Sequence, residues 1–261
     1  MRVRRGRHRL AAAWLAVVGL CGLAASGFGL YRQLAPRVFT AAQRQQIQAW
    51  EVASRWRTLP KARIFPAVIR YRLPGAQLGS PGALPLTARL LEIDSQASCA
   101  QGAGVGAAVR SLLRADGCQA MLRATYSDAS SSMVLTVGVG VLRSAAAAAS
   151  AARAVAGGAA PGSWPLRARH LMPAPFAVAG TPAALFGFRQ RQLSWVRAAG
   201  PYLIVAAVGY ADGRPRVPVS TDAYTLLEMT SMARGVIAAV AAPLGAPAPV
   251  PHCPDPTDPA C

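Results

Sequence analysis

The longest unbroken apolar stretch is Leu10–Tyr31, LAAAWLAVVGLCGLAASGFGLY, without a charged residue. As an α-helix it would extend about 33 Å, against a bilayer hydrocarbon core of about 30 Å. Five arginines precede it: Arg2, Arg4, Arg5, Arg7 and Arg9. Basic residues flanking a span stay on the cytoplasmic side. The pattern therefore predicts a cytoplasmic segment 1–9, a transmembrane anchor 10–31, and the rest of the chain outside the cytoplasm. A cleavable signal peptide shares the basic start, the apolar run and the small-residue exit Ala24-Ala25-Ser26. Its apolar region is typically only ~7–15 residues, so retention of the helix is the expectation. Leu20 before Cys21 does not fit a lipoprotein signal, and Cys21 reads as a small hydrophobe in lipid.

After the anchor the pattern alternates between helical and strand periods. Pro36 breaks the exit, and Thr40 with Gln43 forms a capping-box signature for a helix from Ala41 to Leu59, stopped by Pro60. Within this juxtamembrane region, 32–63, Trp50, Trp56, Arg55 and Arg57 are candidates for the membrane interface, against the favoured reading that the tryptophans dock the helix on the folded domain. The segment IFPAVIRYRL, 64–73, reads as a strand after Pro66, and Leu86–Asp94 as a second. Gly102–Arg114 reads as a short helix ended by Asp116-Gly117. Cys118–Tyr126 alternates as a strand, 127–132 turns, and Met133–Leu142 returns with Gly138 and Gly140 on one face, where a helix backbone could approach. Both faces of that return strand look covered, which marks it as central. Ser144–Ala156, almost all alanine, is a helix closed by Gly157-Gly158. A second hairpin spans about Phe186–Ala198 and Pro201–Tyr210, and a long helix runs from about 218 to Ala242.

This order predicts an α+β fold: an antiparallel sheet with helices packed on it, built around two strand–turn–strand–helix units at 118–156 and 186–242. The domain is expected over 64–243, with a proline-rich tail at 244–261.

Charge alters the picture less than its size suggests. The net charge is +18, from 28 basic and 10 acidic residues, and Lys61 is the only lysine. Arginine in place of lysine, beside abundant Ala, Gly and Pro, matches the codon bias of a GC-rich genome, so nucleic acid is not expected as a partner. A basic outer domain suits anionic lipid head groups or anionic wall polymers. Arg167, Arg169, Arg189 and Arg191, two arginines at alternate positions in each of two segments, are expected to contribute to one basic surface. Four cysteines lie outside the anchor, Cys99, Cys118, Cys253 and Cys261. An even number in an oxidising compartment favours disulfides. Of three connectivities, the nearest-neighbour pairs Cys99–Cys118 and Cys253–Cys261 are expected. No CxxC pair or other ligand spacing points to zinc or another metal, and no cofactor is implied.

Candidate chemistry is sparse. His170 is the one histidine outside the terminal segments, and Ser194, His170 and Asp212 could form a triad on paper. No GxSxG elbow positions them. Glu92 and Asp94 are expected to be solvated rather than a glycosidase pair. The GVG within the return strand lacks the phosphate-loop pattern. The expected function is therefore a membrane-anchored, extracytoplasmic, non-catalytic domain that binds a protein partner or an anionic envelope component. The alternatives are a ligand or stress sensor acting through a partner, and a hydrolase centred on His170.

The segments IQAWEVASRWRTLP (47–60), CQAMLRATY (118–126), GPYLIVAAVGYADGRPRVPV (200–219) and the PHC of the tail resemble actinobacterial single-pass membrane proteins with a secreted α+β domain and no assigned activity. The resemblance implies location and architecture and transfers no site. A looser likeness, of layout only, is to small sensor domains of actinobacterial receptor kinases.

Intact-mass analysis of protein extracted from membranes is expected to find the apolar run still attached. A mature N-terminus at or near Gly27 would overturn the anchor.

Overall fold

The computed structural model describes residues 14, 17–29, 39–73, 84–94, 99, 111, 113–156, 174–218 and 223–249. The chain divides into two compact units, Met1–Gln48 with Pro249–Cys261, and Ala49–Ala248. In the first, helix α1 (Val17–Gly29) is apolar and leaves Leu20, Leu23 and Phe28 exposed. Helix α2 (Ala41–Thr58) starts with the expected capping box: the Gln43 amide donates to Thr40 Oγ1 (3.3 Å) and the Thr40 amide to Gln43 Oε1 (2.9 Å).

The second unit is an α+β domain. After the single turn α3 (Lys61–Ile64) come β1 (Val68–Leu73), β2 (Leu84–Asp94), β3 (Ala120–Asp128), β4 (Met133–Val141), α4 (Ala145–Val155), β5 (Arg191–Ala199), β6 (Tyr202–Tyr210) and α5 (Ala223–Gly245). The six strands form one antiparallel sheet in the order β1-β2-β3-β4-β6-β5. Every residue of β4 is buried, as its apolar run on both faces requires. The first strand, expected after Pro66, begins at Val68, and Lys61–Ile64 before the proline takes a helical turn.

Helix α5 packs against β1 and β5, the two edges, as well as β4 and β6, so the sheet curls around it. Its core face, including Met229, Met232, Val236, Ile237 and Val240, meets the inner face of the strands. Contact with β1 requires Gly235: a Cβ there would fall 2.5 Å from Tyr71 Cβ. Tyr224–Gly245 is long and apolar enough to cross a membrane, yet it is 56% buried, which is the behaviour of a core helix. It runs on through Pro243, past the expected stop at Ala242, and ends at Gly245.

The outer face is covered in two parts. Helix α4, N-capped by the Ser144 hydroxyl accepting from the Ala147 amide (3.1 Å), lays Ala148, Ala151, Ala152 and Val155 on Val196, Leu203 and Val205. The stretch 174–186 covers Val134 and Ala207 with Val178, Ala183 and Phe186. It is fastened by Thr125 Oγ1 donating to the Phe176 carbonyl (2.7 Å) and the Phe176 amide donating to Thr136 Oγ1 (2.9 Å). Phe186, expected to open a strand, is instead a core plug, and β5 begins at Arg191. What crowds Gly138 and Gly140 is side chains rather than a helix backbone. A Cβ on Gly138 would meet the cross-strand Met121 at 2.5 Å, and one on Gly140 would meet Leu113 at 3.3 Å. Asp94, expected in solvent, is buried and ion-paired with Arg123 (Oδ2 to Nε 2.9 Å).

Cys99 and Cys118 are disulfide-bonded, with Cα atoms 6.1 Å apart. Cys253 and Cys261 lie outside the described residues, as do Arg167, Arg169 and His170.

Gly235→Val is expected to destabilise the domain by about 1–3 kcal/mol by overpacking, or about 2–4 °C of Tm per kcal/mol at this size. Thermal unfolding of the purified full chain checks it, with Gly235→Ala falling between the two. An unchanged Tm in both variants would mean that α5 does not seat on Tyr71.

Candidate binding surface

Two of the four predicted surface arginines fall on one described edge of the sheet. Arg189 is exposed in the turn before β5, and Arg191 opens the strand opposite Gly209. The Arg191 guanidinium lies 4.8 Å from the Phe188 ring centroid, and its Nε donates to the Phe188 carbonyl (3.1 Å). The segment 213–217 runs beside them. The Arg216 amide donates to the Arg189 carbonyl (2.9 Å), Gln190 Nε2 to the Gly213 carbonyl (3.1 Å) and Gln192 Nε2 to the Pro215 carbonyl (3.3 Å), while the Val217 amide donates to Gln192 Oε1 (3.0 Å). Arg216 thereby joins Arg189 and Arg191. Burial first, and then the neighbouring Arg216, pull the Arg191 guanidinium below its ordinary range. Sequence reasoning missed Arg216 because the β5–β6 hairpin brings it there. The local features that hold it are two glutamines, Gln190 just before β5 and Gln192 within it.

The proposed membrane-interface set is divided by helical phase. Val52, Arg55 and Trp56 share one face of α2 at i, i+3 and i+4, and Leu59, just past its end, continues that face. That face sits on the domain: Val52, Trp56 and Leu59 pack against its core. Arg55 is only 8% exposed. Its Nη1 donates to the carbonyls of Pro243 (3.2 Å), Leu244 (3.4 Å) and Ala246, and its Nη2 pairs with Glu51 (3.2 Å). It therefore caps the end of α5, where unsatisfied carbonyls and the negative end of the helix dipole favour a cation, and it does not face a lipid head group. Trp50 stays 63% exposed, and Arg57 is exposed with its guanidinium 4.4 Å from the Trp56 ring.

Beyond the β3–β4 turn lies a cleft of about 580 Å³ lined by Ser131, Ser132, Pro182, Tyr210, Ala211, Asp212, Arg214 and Thr225. Buried Asp128 organises the turn. Its Oδ1 accepts from the Met133 amide (2.7 Å) and its Oδ2 from the Ser130 amide (3.1 Å), the Ser130 hydroxyl and the Ser132 hydroxyl (3.2 Å). Ser131 has φ 59°, the one non-glycine residue with positive φ among the described residues. Asp212 accepts from Arg214 Nε (2.7 Å), which holds its carboxyl below the usual range. The Arg214 guanidinium also lies 4.5 Å from the Tyr210 ring. Near the turn, burial first and then Asp128 push the Glu228 carboxyl up. The Tyr71 hydroxyl, buried and without a hydrogen-bond partner among the described residues, is also pushed up, first by burial and then by Glu228 and Asp128.

This arrangement can hold anions and hydroxyl groups. The paper triad is not assembled among the described residues: Ser194 is buried in β5 opposite Ala207, and Asp212 is engaged by Arg214. No group of three or more His, Cys, Asp or Glu side chains that could hold a metal occurs among the described residues. The fold and edge together define an α+β domain with an arginine-lined sheet margin. No protein-family model, curated protein or solved structure matches the chain.

The raised Glu228 carboxyl has a readable sign. A folded state that binds the proton more tightly than the unfolded one loses stability as pH rises above the ordinary glutamate range, and below that range both states are protonated. Glu228→Gln is therefore expected to melt above the wild type at pH 7–8, with the difference vanishing near about pH 4. Melting curves across that interval check it, and a wild type more stable than the variant at pH 8 would reverse the sign.

Proposed function

We propose that the chain is a membrane-anchored, extracytoplasmic, non-catalytic domain that holds an anionic envelope component, or a protein partner presenting one, on the edge formed by Arg189, Arg191 and Arg216. The observation that carries this reading is the clustering of those arginines along β5 and the 213–217 segment. Planar guanidinium forks suit phosphate and carboxylate groups. The anchor is supported by the apolar, exposed side chains of α1 and by the five arginines before the run. The Cys99–Cys118 bond fits an oxidising compartment outside the cytoplasm. The orders β3–β4–α4 and β5–β6–α5 support two strand–turn–strand–helix units as the basis of the domain, and an origin among actinobacterial single-pass proteins remains the reading of the resemblance. A sensor acting through a partner is the second reading, and the observation that favours it is the cleft.

Full-length protein in detergent is the test sample, applied to an anionic polymer matrix over a salt series. Arg189→Ala and Arg216→Ala are each expected to weaken retention roughly fivefold at low salt, about 1 kcal/mol, and less at high salt, where screening takes over. Retention equal to the wild type in the double variant would reduce the edge to solubilising charge.

A further inference from the structure

We propose that the cleft beside the basic edge is a specificity site for a polyol that carries anionic groups along its chain, of which phosphodiester-linked glycerol is the simplest form. This rests on the reading of the edge as an anion-binding surface and adds what the arginines alone cannot supply, selection for hydroxyl groups.

The size of the cleft, about 580 Å³, lies within the range of small-ligand sites, and its surface is mixed, with polar groups converging on an apolar floor. Of its eight lining residues, only Pro182 and Ala211 lack a polar side-chain atom. A polyol, with carbon atoms for the apolar part and hydroxyl groups for the polar part, matches such a surface. The polar groups are also oriented. Ser132 Oγ donates to the buried Asp128 carboxylate and is hydrogen-bonded to Ser130 Oγ (2.9 Å), which leaves it a lone pair to accept from a ligand hydroxyl. Asp212, with its side chain 49% exposed, supplies a carboxylate, the strongest acceptor for hydroxyl donors. Arg214 is held over Tyr210 and against Asp212, so that its charge sits at the rim instead of sweeping solvent.

Cleft and edge belong to one stretch of chain. Arg214 lines the cleft, and Arg216, two residues on, stands beside Arg189. Their Cα atoms are at most about 7 Å apart, a separation on the scale of one phosphodiester-linked glycerol unit. A repeating chain could thus place a hydroxyl-bearing unit in the cleft and the next anionic group on Arg216. An anion without hydroxyl groups would use only the edge.

The test is calorimetric titration of the full chain in detergent with soluble poly(glycerol phosphate) and, separately, with polyphosphate matched for charge. Poly(glycerol phosphate) is expected to bind at least tenfold tighter. Asp212→Asn and the double variant Ser132→Ala/Thr225→Val should each remove most of that preference while leaving polyphosphate binding no weaker than in the wild type. Arg189→Ala/Arg216→Ala should weaken both polymers. Unchanged melting of the two cleft variants separates loss of contact from loss of fold. Equal affinity for the two polymers, or a preference untouched by both cleft variants, would overturn the cleft as a site and leave the anionic edge standing. No binding of either polymer would overturn both.

Discussion

A curled sheet needs something inside the curl, and here it is one helix, α5. The inner faces of β1, β4, β5 and β6 close on it, so its position fixes the spacing of the two sheet edges. Two features set that position. Gly235 lets the helix lie against the Cα–Cβ bond of Tyr71 on β1, where any side chain would hold the surfaces apart. At the other end, the Arg55 guanidinium gathers the terminal carbonyls. A helix end buried without partners would carry several unsatisfied acceptors, and one planar cation with multiple donors satisfies them together. Glu51 balances the charge, so Arg55 is not left as an isolated buried cation.

The same sheet has to manage its margins. An edge strand presents unpaired amides and carbonyls that invite pairing with another chain. At the start of β5 that role is taken by the protein itself: the side chains of Gln190 and Gln192 bind the backbone of 213–217, and Arg216 and Arg189 add one main-chain bond. The arrangement covers the start of that margin and, as a by-product, brings Arg216 beside Arg189 and Arg191. The candidate binding surface is thus a consequence of edge protection as much as of net charge.

Much of the fold was legible because it is written locally. The alternation of Cys118–Tyr126, the two-faced apolar run of β4, the Ser144 cap and the Thr40–Gln43 box each specify their own element within a few residues. What could not be read depended on partners far along the chain. Arg55 looks like an interfacial cation until Pro243 and Leu244 are brought to it, and Asp94 looks solvated until Arg123 lies across the strand. Phe186 has the composition of a strand start, yet the outer face of β4 and β6 needed covering and took it. The site was half visible for the same reason. Arg189 and Arg191 sit at alternate positions, whereas the cleft is assembled from a hairpin turn, the end of β6 and the first turn of α5.

The Tyr202 hydroxyl makes a different kind of connection. It donates to the Val52 carbonyl (2.5 Å) and accepts from the Trp56 amide (3.3 Å), the acceptor and donor of a single i, i+4 rung of α2. A phenol from β6 is thus inserted into the hydrogen-bond ladder of the helix, as side chains are at helix bends. Burial raises the Tyr202 phenol above its ordinary range, so it keeps its proton and remains a donor in alkaline conditions. In mechanical terms the helix is riveted rather than merely laid on the domain. Tension along α2 passes through this rivet into β6, next to the central strand β4, and the most extensively bonded part of the sheet bears the load.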